Sequence, residues 1–141
     1  MSNSKNKQNG FTLLELLVVL SILAMLAGLV GPQVMKHLGA SKSKAAKLEI
    51  EELVSAVEMY KLDENRYPTT QQGLKALVEK PSNTLNWNGP YLRKNFVPKD
   101  PWGQDYLYES PGKHGKFDIQ SLGADSRAGG EGEDKDIFSW D

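Results

Sequence analysis

The segment from Phe11 to Gly31 constrains this chain most: sixteen of its twenty-one residues are apolar, and Glu15 is the single charged one. At 1.5 Å per residue such a run forms a helix of about 30 Å, the thickness of a bilayer's hydrocarbon core. The whole chain, 141 residues, allows one domain beside that helix. Its mean hydropathy of −0.49 averages a membrane segment with a polar remainder. Before the run stand ten residues with Lys5, Lys7 and no acid. A secretory signal also starts basic, but its apolar stretch is about 7–15 residues and ends at a small-residue cleavage site. Here Ala24, Ala27 and Gly28 lie inside the run without a polar break, so a retained membrane helix fits better. Charge does not orient it: Lys5 and Lys7 lie on one side, and Lys36, Lys42, Lys44 and Lys47 on the other.

A carboxylate in an apolar segment costs about 2.5 kcal/mol or more near mid-bilayer and less near an end, so Glu15 needs compensation. One reading places it within a turn of the membrane surface, where it snorkels to water. The other has the chain cut between Gly10 and Phe11, which creates an amino group one helical turn before Glu15. The ammonium of a neighbouring copy then pairs with the carboxylate and sets subunit register. The basic leader, the Gly10-Phe11 junction, Thr12-Leu13-Leu14-Glu15 and the apolar run together resemble the N-terminal signal of type IV pilins and pseudopilins. That resemblance implies removal of residues 1–10 by a prepilin peptidase that also N-methylates Phe11. It further implies that Glu15 is the assembly carboxylate and that residues 11–31 form a transmembrane and assembly helix. The topology implied is a single pass through the bacterial inner membrane, with the C-terminal head in the periplasm.

Gly28, Gly31 and Pro32 close the apolar run, and proline lacks the amide hydrogen that a helix interior uses. A kink near Pro32 is expected there rather than a stop, because helical periodicity resumes: Ala46, Ile50, Leu53, Val57 and Tyr60 recur at spacings of four and three. An amphipathic half to about residue 63 therefore lies on a globular head that spans residues 32–141.

Beyond Asn65, Thr69 or Thr70 can cap a short helix over about residues 70–79, with Leu74, Leu77 and Val78 facing inward and Pro81 ending it. Residues 82–102 read as loop anchored by Trp87, Tyr91, Leu92 and Phe96. Alternation predicts strands over 104–109 and 116–121, joined by a loop at Ser110–Gly115, and a third over 137–140. The fold class expected is α+β: a long helix packed on a small antiparallel sheet. The head's aromatics are interleaved with Pro and Gly rather than with Lys and Arg, and the net charge is −1, so core packing is expected and nucleic acid is not a partner. There is no cysteine, no phosphate loop and no nucleophile elbow, and His114 reads as an exposed loop residue. An enzyme is not expected.

Between Ser121 and Ile137, Asp125, Glu131, Glu133, Asp134 and Asp136 face only Arg127 and Lys135. Such a loop is either solvated and flexible or holds a hard cation, and calcium suits carboxylate and carbonyl oxygens in irregular geometry. Asp125 and Asp136 are spaced like the ends of an EF-hand loop, but Arg127 and Gly129 occupy positions where that motif needs oxygen side chains.

Tyr60-Lys61-Leu62-Asp63, Arg66-Tyr67-Pro68-Thr69-Thr70-Gln71-Gln72-Gly73-Leu74, Asp100-Pro101-Trp102-Gly103, Ser110-Pro111-Gly112 and Ser121-Leu122-Gly123-Ala124-Asp125 resemble the major-pseudopilin family of bacterial type II secretion systems. The resemblance covers essentially the whole chain. It implies a structural calcium ion in loop 121–137, held by the carbonyl of Leu122, the side chain of Asp125, a carbonyl near Ala128, and carboxylates among Glu133, Asp134 and Asp136. It also implies a subunit that homopolymerises into a periplasmic pseudopilus and drives export of folded proteins across the outer membrane. The implied partners are its own copies, minor pseudopilins, the prepilin peptidase and methyltransferase, membrane lipid, and an inner-membrane platform with its assembly ATPase. A type IV pilin for adhesion, motility or DNA uptake is the alternative. Many such pilins close the C-terminal region with a disulfide, and this chain has no cysteine to form one.

Overall fold

The computed structural model describes residues 9–141, so most of the expected leader, residues 1–8, lies outside the described residues. The chain divides after His37 into two compact units, the second comprising Leu38–Asp141. Helix α1, Leu13–Glu64, is continuous over 52 residues.

The helix runs unbroken through Gly28, Gly31 and Pro32. The helix does not stop at the end of the apolar run. Pro32 has no N–H to donate to the Gly28 carbonyl, so one rung of the ladder is missing there by chemistry alone. Asn65 ends the helix in the left-handed region, at φ 58°, while its N–H still reaches the Lys61 carbonyl at 2.8 Å. A short polar residue that tolerates this conformation is a common helix terminator.

In the second unit the expected stripe is the core. Ala46, Ile50, Leu53, Val57 and Tyr60 are fully buried, and Ala56 joins them. Leu74, Ala76, Leu77, Leu92, Tyr106 and Ile119 close over them. Acids that flank the stripe are used as acceptors. Tyr106 donates to Glu49, Tyr91 to Asp63 at 2.6 Å and Tyr67 to Glu58 at 3.2 Å. Burial, aided by these carboxylates, raises the Tyr106 hydroxyl far above its ordinary pKa and lifts Tyr91 to about 12. Both phenols therefore remain donors at any physiological pH.

Three strands form an antiparallel sheet in the order β1-β2-β3: β1 is Leu107–Glu109, β2 Asp118–Ser121 and β3 Ile137–Phe138. Tyr108 lies opposite Ile119, and Ser121 lies opposite Ile137. All three are shorter than the alternation predicts. Gln104 is drawn out of β1 because its N–H bonds Asp100 at 2.8 Å and its carbonyl accepts the Asp100 N–H.

Two other expectations are corrected. The helix expected at about 70–79 is a turn followed by one 3₁₀ segment, Leu74–Leu77. Gly73, at φ 60°, sits where an α-helix would need right-handed backbone. Thr69 still caps the turn: its hydroxyl accepts the Gln72 N–H at 3.1 Å, and Gln72 accepts the Thr69 N–H at 2.9 Å. Thr70 instead exchanges two hydrogen bonds with the Ser110 backbone. Phe96 is not a core anchor: it is 58% exposed, whereas Leu92 is buried and Trp87 and Tyr91 pack at the core's edge.

Candidate functional site

Two regions carry the functional expectations: the start of α1 and the loop that follows β2. At the first, Gly10 and Phe11 are exposed and precede the helix. Thr12 and Glu15 form a reciprocal cap. The Thr12 N–H donates to Glu15 Oε2 at 3.3 Å, and the Glu15 N–H donates to Thr12 Oγ1 at 3.2 Å. This is a capping box, in which residues three apart satisfy each other's orphan donors at a helix start. The Thr-x-x-Glu spacing was present in the sequence and could have found it. Glu15 thus orders the first turn of its own helix, a task distinct from snorkelling and from pairing between copies. Both partners lie after the Gly10-Phe11 bond, so cleavage there leaves the cap intact.

From Leu13 to Val30 every side chain is exposed in the isolated chain. Among the described residues α1 is the one helix long and apolar enough to cross a bilayer. In the second unit the helix also has an uncovered apolar side: Leu48, Met59 and Leu62 are exposed, at spacings that place them roughly opposite the buried stripe. A helix bearing uncovered apolar surface of this extent needs lipid or other protein copies to cover it.

The acidic loop leaves β2 and returns to β3. Its two limbs are laced: the Ala124 N–H reaches the Glu133 carbonyl at 2.9 Å, and the Gly129 N–H reaches Asp136 Oδ2 at 2.9 Å. Asp125 Oδ1 accepts the Arg127 N–H at 3.0 Å. Asp136 is 7% exposed, and its Oδ1 is buried with no hydrogen-bond partner. An orphaned carboxylate oxygen is costly unless something cationic completes it. Glu133 points elsewhere: its side chain lies across Gly39 of α1, in the space a Cβ would fill. Among the described residues no three acidic, His or Cys side chains gather as a metal cluster. A site built from two carboxylates and main-chain carbonyls has fewer than three such side chains by construction.

His114 is the exposed loop residue expected, and its ring is partnered. Its Nδ1 lies 3.1 Å from Asp118 Oδ2, and its ring stacks on Trp140 at 4.0 Å between centroids. Asp118 Oδ2 also accepts the N–H groups of Lys113 and His114. Burial pushes the Asp118 carboxyl up, but the imidazole and these two N–H donors outweigh it and hold the pKa below 3.8. The tail is pinned further by Lys47, whose Nζ donates to the carbonyls of Phe138 and Asp141 at 2.8 and 2.9 Å. Together these contacts fasten the 110–118 loop and the C-terminal tail to the sheet.

A long helix with a membrane-length apolar start, a capped acid in its first turn and a small sheet packed on its second half defines a pilin-like structural subunit. The comparisons agree. Residues 33–140 match the family model described as type II secretion system protein G, and residues 5–31 match the prokaryotic N-terminal methylation motif. The chain is 50% identical to the type II secretion system core protein G of Pseudomonas aeruginosa, over 97% of this chain and 98% of that protein. It is 48% identical to the core protein G of Vibrio cholerae, over 95% and 92%. The major pseudopilin of the type 2 secretion system of enterohaemorrhagic Escherichia coli matches 77% of this chain and 95% of that one, at TM-score 0.64 and 38% identity. The chain belongs to the protein G family of the type II secretion system, the major pseudopilins, and is a structural subunit rather than an enzyme.

Proposed function

We propose that this chain polymerises with its own copies into a periplasmic pseudopilus whose growth drives folded proteins across the outer membrane. The observation that carries the reading is the uncovered apolar surface of α1 with Glu15 capped at its first turn, one turn from the Gly10-Phe11 junction. Before assembly, lipid of the inner membrane covers residues 13–30 and the head stands in the periplasm. A prepilin peptidase removes residues 1–10, which leaves an amine at Phe11 that it methylates. In the filament, neighbouring helices replace the lipid, and the Phe11 ammonium of one copy faces the Glu15 carboxylate of the next. Taking a charge out of water is costly, so a copy with its Glu15 unpaired is disfavoured and register is selected. The sequence has no phosphate loop, and in this reading the work of extension comes from a separate assembly ATPase acting through an inner-membrane platform. Minor pseudopilins would be further partners of the same helix surface.

We also propose that loop 121–137 takes a structural calcium ion. The orphaned Asp136 Oδ1 supports this, as does the lacing that holds the two limbs together. Two carboxylates, Asp125 and Asp136, with the carbonyls of Leu122 and Ala128 would hold it, and Glu133, turned onto Gly39, would not. When bound, the ion supplies two positive charges to residues 123–141, which carry six acids and two bases.

A deletion strain tests the export reading. Loss of the gene should leave exoproteins in the periplasm, and complementation should release them. Normal export with loss of twitching or DNA uptake would instead make the chain a type IV pilin.

A further inference from the structure

Asp100 is buried, at 4% exposure, in the turn before β1, well apart in sequence from the acidic loop. Its Oδ1 accepts the N–H groups of Trp102 and Gln104 at 3.1 and 2.8 Å. Its Oδ2 accepts the hydroxyl of Ser121, fully buried at the end of β2, at 2.7 Å. The Ser121 oxygen in turn accepts the Gly123 N–H at 3.3 Å. At Gly123 the backbone turns left-handed, at φ 70°, and a Cβ there would lie 2.8–2.9 Å from the carbonyl groups of Glu133 and Asp134. The next amide, Ala124, bonds the Glu133 carbonyl. A three-step chain therefore runs from a buried carboxylate through a hydroxyl to the point where the outgoing limb of the loop meets the returning one.

We infer that Asp100 is a positioning residue for the acidic loop: through Ser121 it fixes the turn at Gly123, and so presets the backbone of the loop before any ion arrives. A hydroxyl that donates to a carboxylate is polarised and becomes a better acceptor, so the Gly123 bond depends on the Asp100 charge. An Asn at position 100 can still accept from Trp102 and Gln104, but it offers Ser121 an amide in place of one carboxylate oxygen. The inference rests on the calcium reading for affinity alone; the presetting of the backbone stands without it.

The test uses the full chain in detergent micelles and two readouts: amide hydrogen exchange over residues 121–126 in chelator, and calcium titration. Asp100→Asn and Ser121→Ala should each speed exchange in that segment about tenfold, the scale of a weakened hydrogen bond to a charged group, and raise the calcium dissociation constant by a similar factor. The double variant should be no worse than either single one, because the two residues act in series. Asp105→Asn, an exposed acid outside the chain, should change neither. If Asp100→Asn unfolds the head, Ser121→Ala, which leaves the carboxylate its two backbone donors, carries the test. Wild-type exchange in the Ser121→Ala variant, or single effects that simply multiply in the double, would overturn the inference. Should the wild-type chain bind no calcium, the ion reading fails and the exchange arm still decides the role of Asp100.

Discussion

Residues 13–37 and residues 38–64 belong to one uninterrupted helix, yet they meet opposite ends of the same burial problem. In the second stretch, polar residues separate two apolar sides, and one of these, from Ala46 to Tyr60, is covered by the chain's own loops and sheet. In the first, Leu, Val, Ile and Met are exposed all round, and nothing among the described residues covers them. Helix propensity alone does not distinguish the two stretches; what differs is where the covering surface comes from. The head half is completed by its own sequence; the membrane half, as proposed above, is completed by other molecules, first lipid and then other copies.

The comparison breaks most readily at matched leucines. Leu53→Ala, in the core, should cost about 2–5 kcal/mol of head stability and lower its melting temperature sharply. Leu20→Ala, on the uncovered stretch, should leave head melting within about 0.5 kcal/mol of wild type. Similar melting losses at both positions would erase the distinction. A second test asks whether the head is as self-sufficient as its core suggests. Its acidic loop is proposed to need a component from outside, so chelator should lower the melting temperature. At a calcium concentration a hundredfold above the dissociation constant the loss is about 2.7 kcal/mol, and equal melting with and without chelator would remove the calcium claim.

A smaller effect concerns a polar fastening that the head does supply itself. The Asp118 pKa is lowered in the folded chain, so the carboxylate stabilises the fold above pH 3.8, and that contribution is lost as pH falls through the folded value. Asp118→Asn should be less stable than wild type at neutral pH, by about 1.5 kcal/mol for a charged hydrogen-bond acceptor. In melting curves taken from pH 6 down to pH 2, that gap should close; a constant gap would show that the charge is not its source. The smallest effect is expected at Gly39, in the first turn of the head half. Gly39→Ala gains about 0.5–1 kcal/mol of helix propensity and loses part of it by displacing the flexible Glu133 side chain. Net stability should move by less than about 1 kcal/mol, with unchanged calcium affinity. A weakened affinity would return Glu133 to the ligand set.

Much of this division was legible in the sequence, because both halves of the helix write their surroundings into hydrophobic pattern. The spacing from Ala46 to Tyr60 could only be a stripe, and the uniform run before it could only be surrounded. The three strands were legible for the same reason, with their ends overrun where Asp100 draws the Gln104 backbone away. Features set by long-range polar contacts were not legible. Nothing near Asp100 announces Ser121, and nothing in the loop around His114 announces Trp140. Phe96 reads as an anchor from its type alone, and aromatic type does not say which way a loop turns. The cap at Thr12 and Glu15, by contrast, is legible in its Thr-x-x-Glu spacing alone.

That cap also sharpens the central claim, that the membrane half is completed by other copies and that the Glu15 charge sets their register. Glutamine serves a capping box as well as glutamate does, so Glu15→Gln keeps the helix start and removes only the charge. Filament assembly should therefore be measured with Glu15→Gln as the sole copy in the cell. The account predicts normal processing and membrane insertion with no filaments. Wild-type filament levels would contradict it and leave Glu15 with the cap as its whole role.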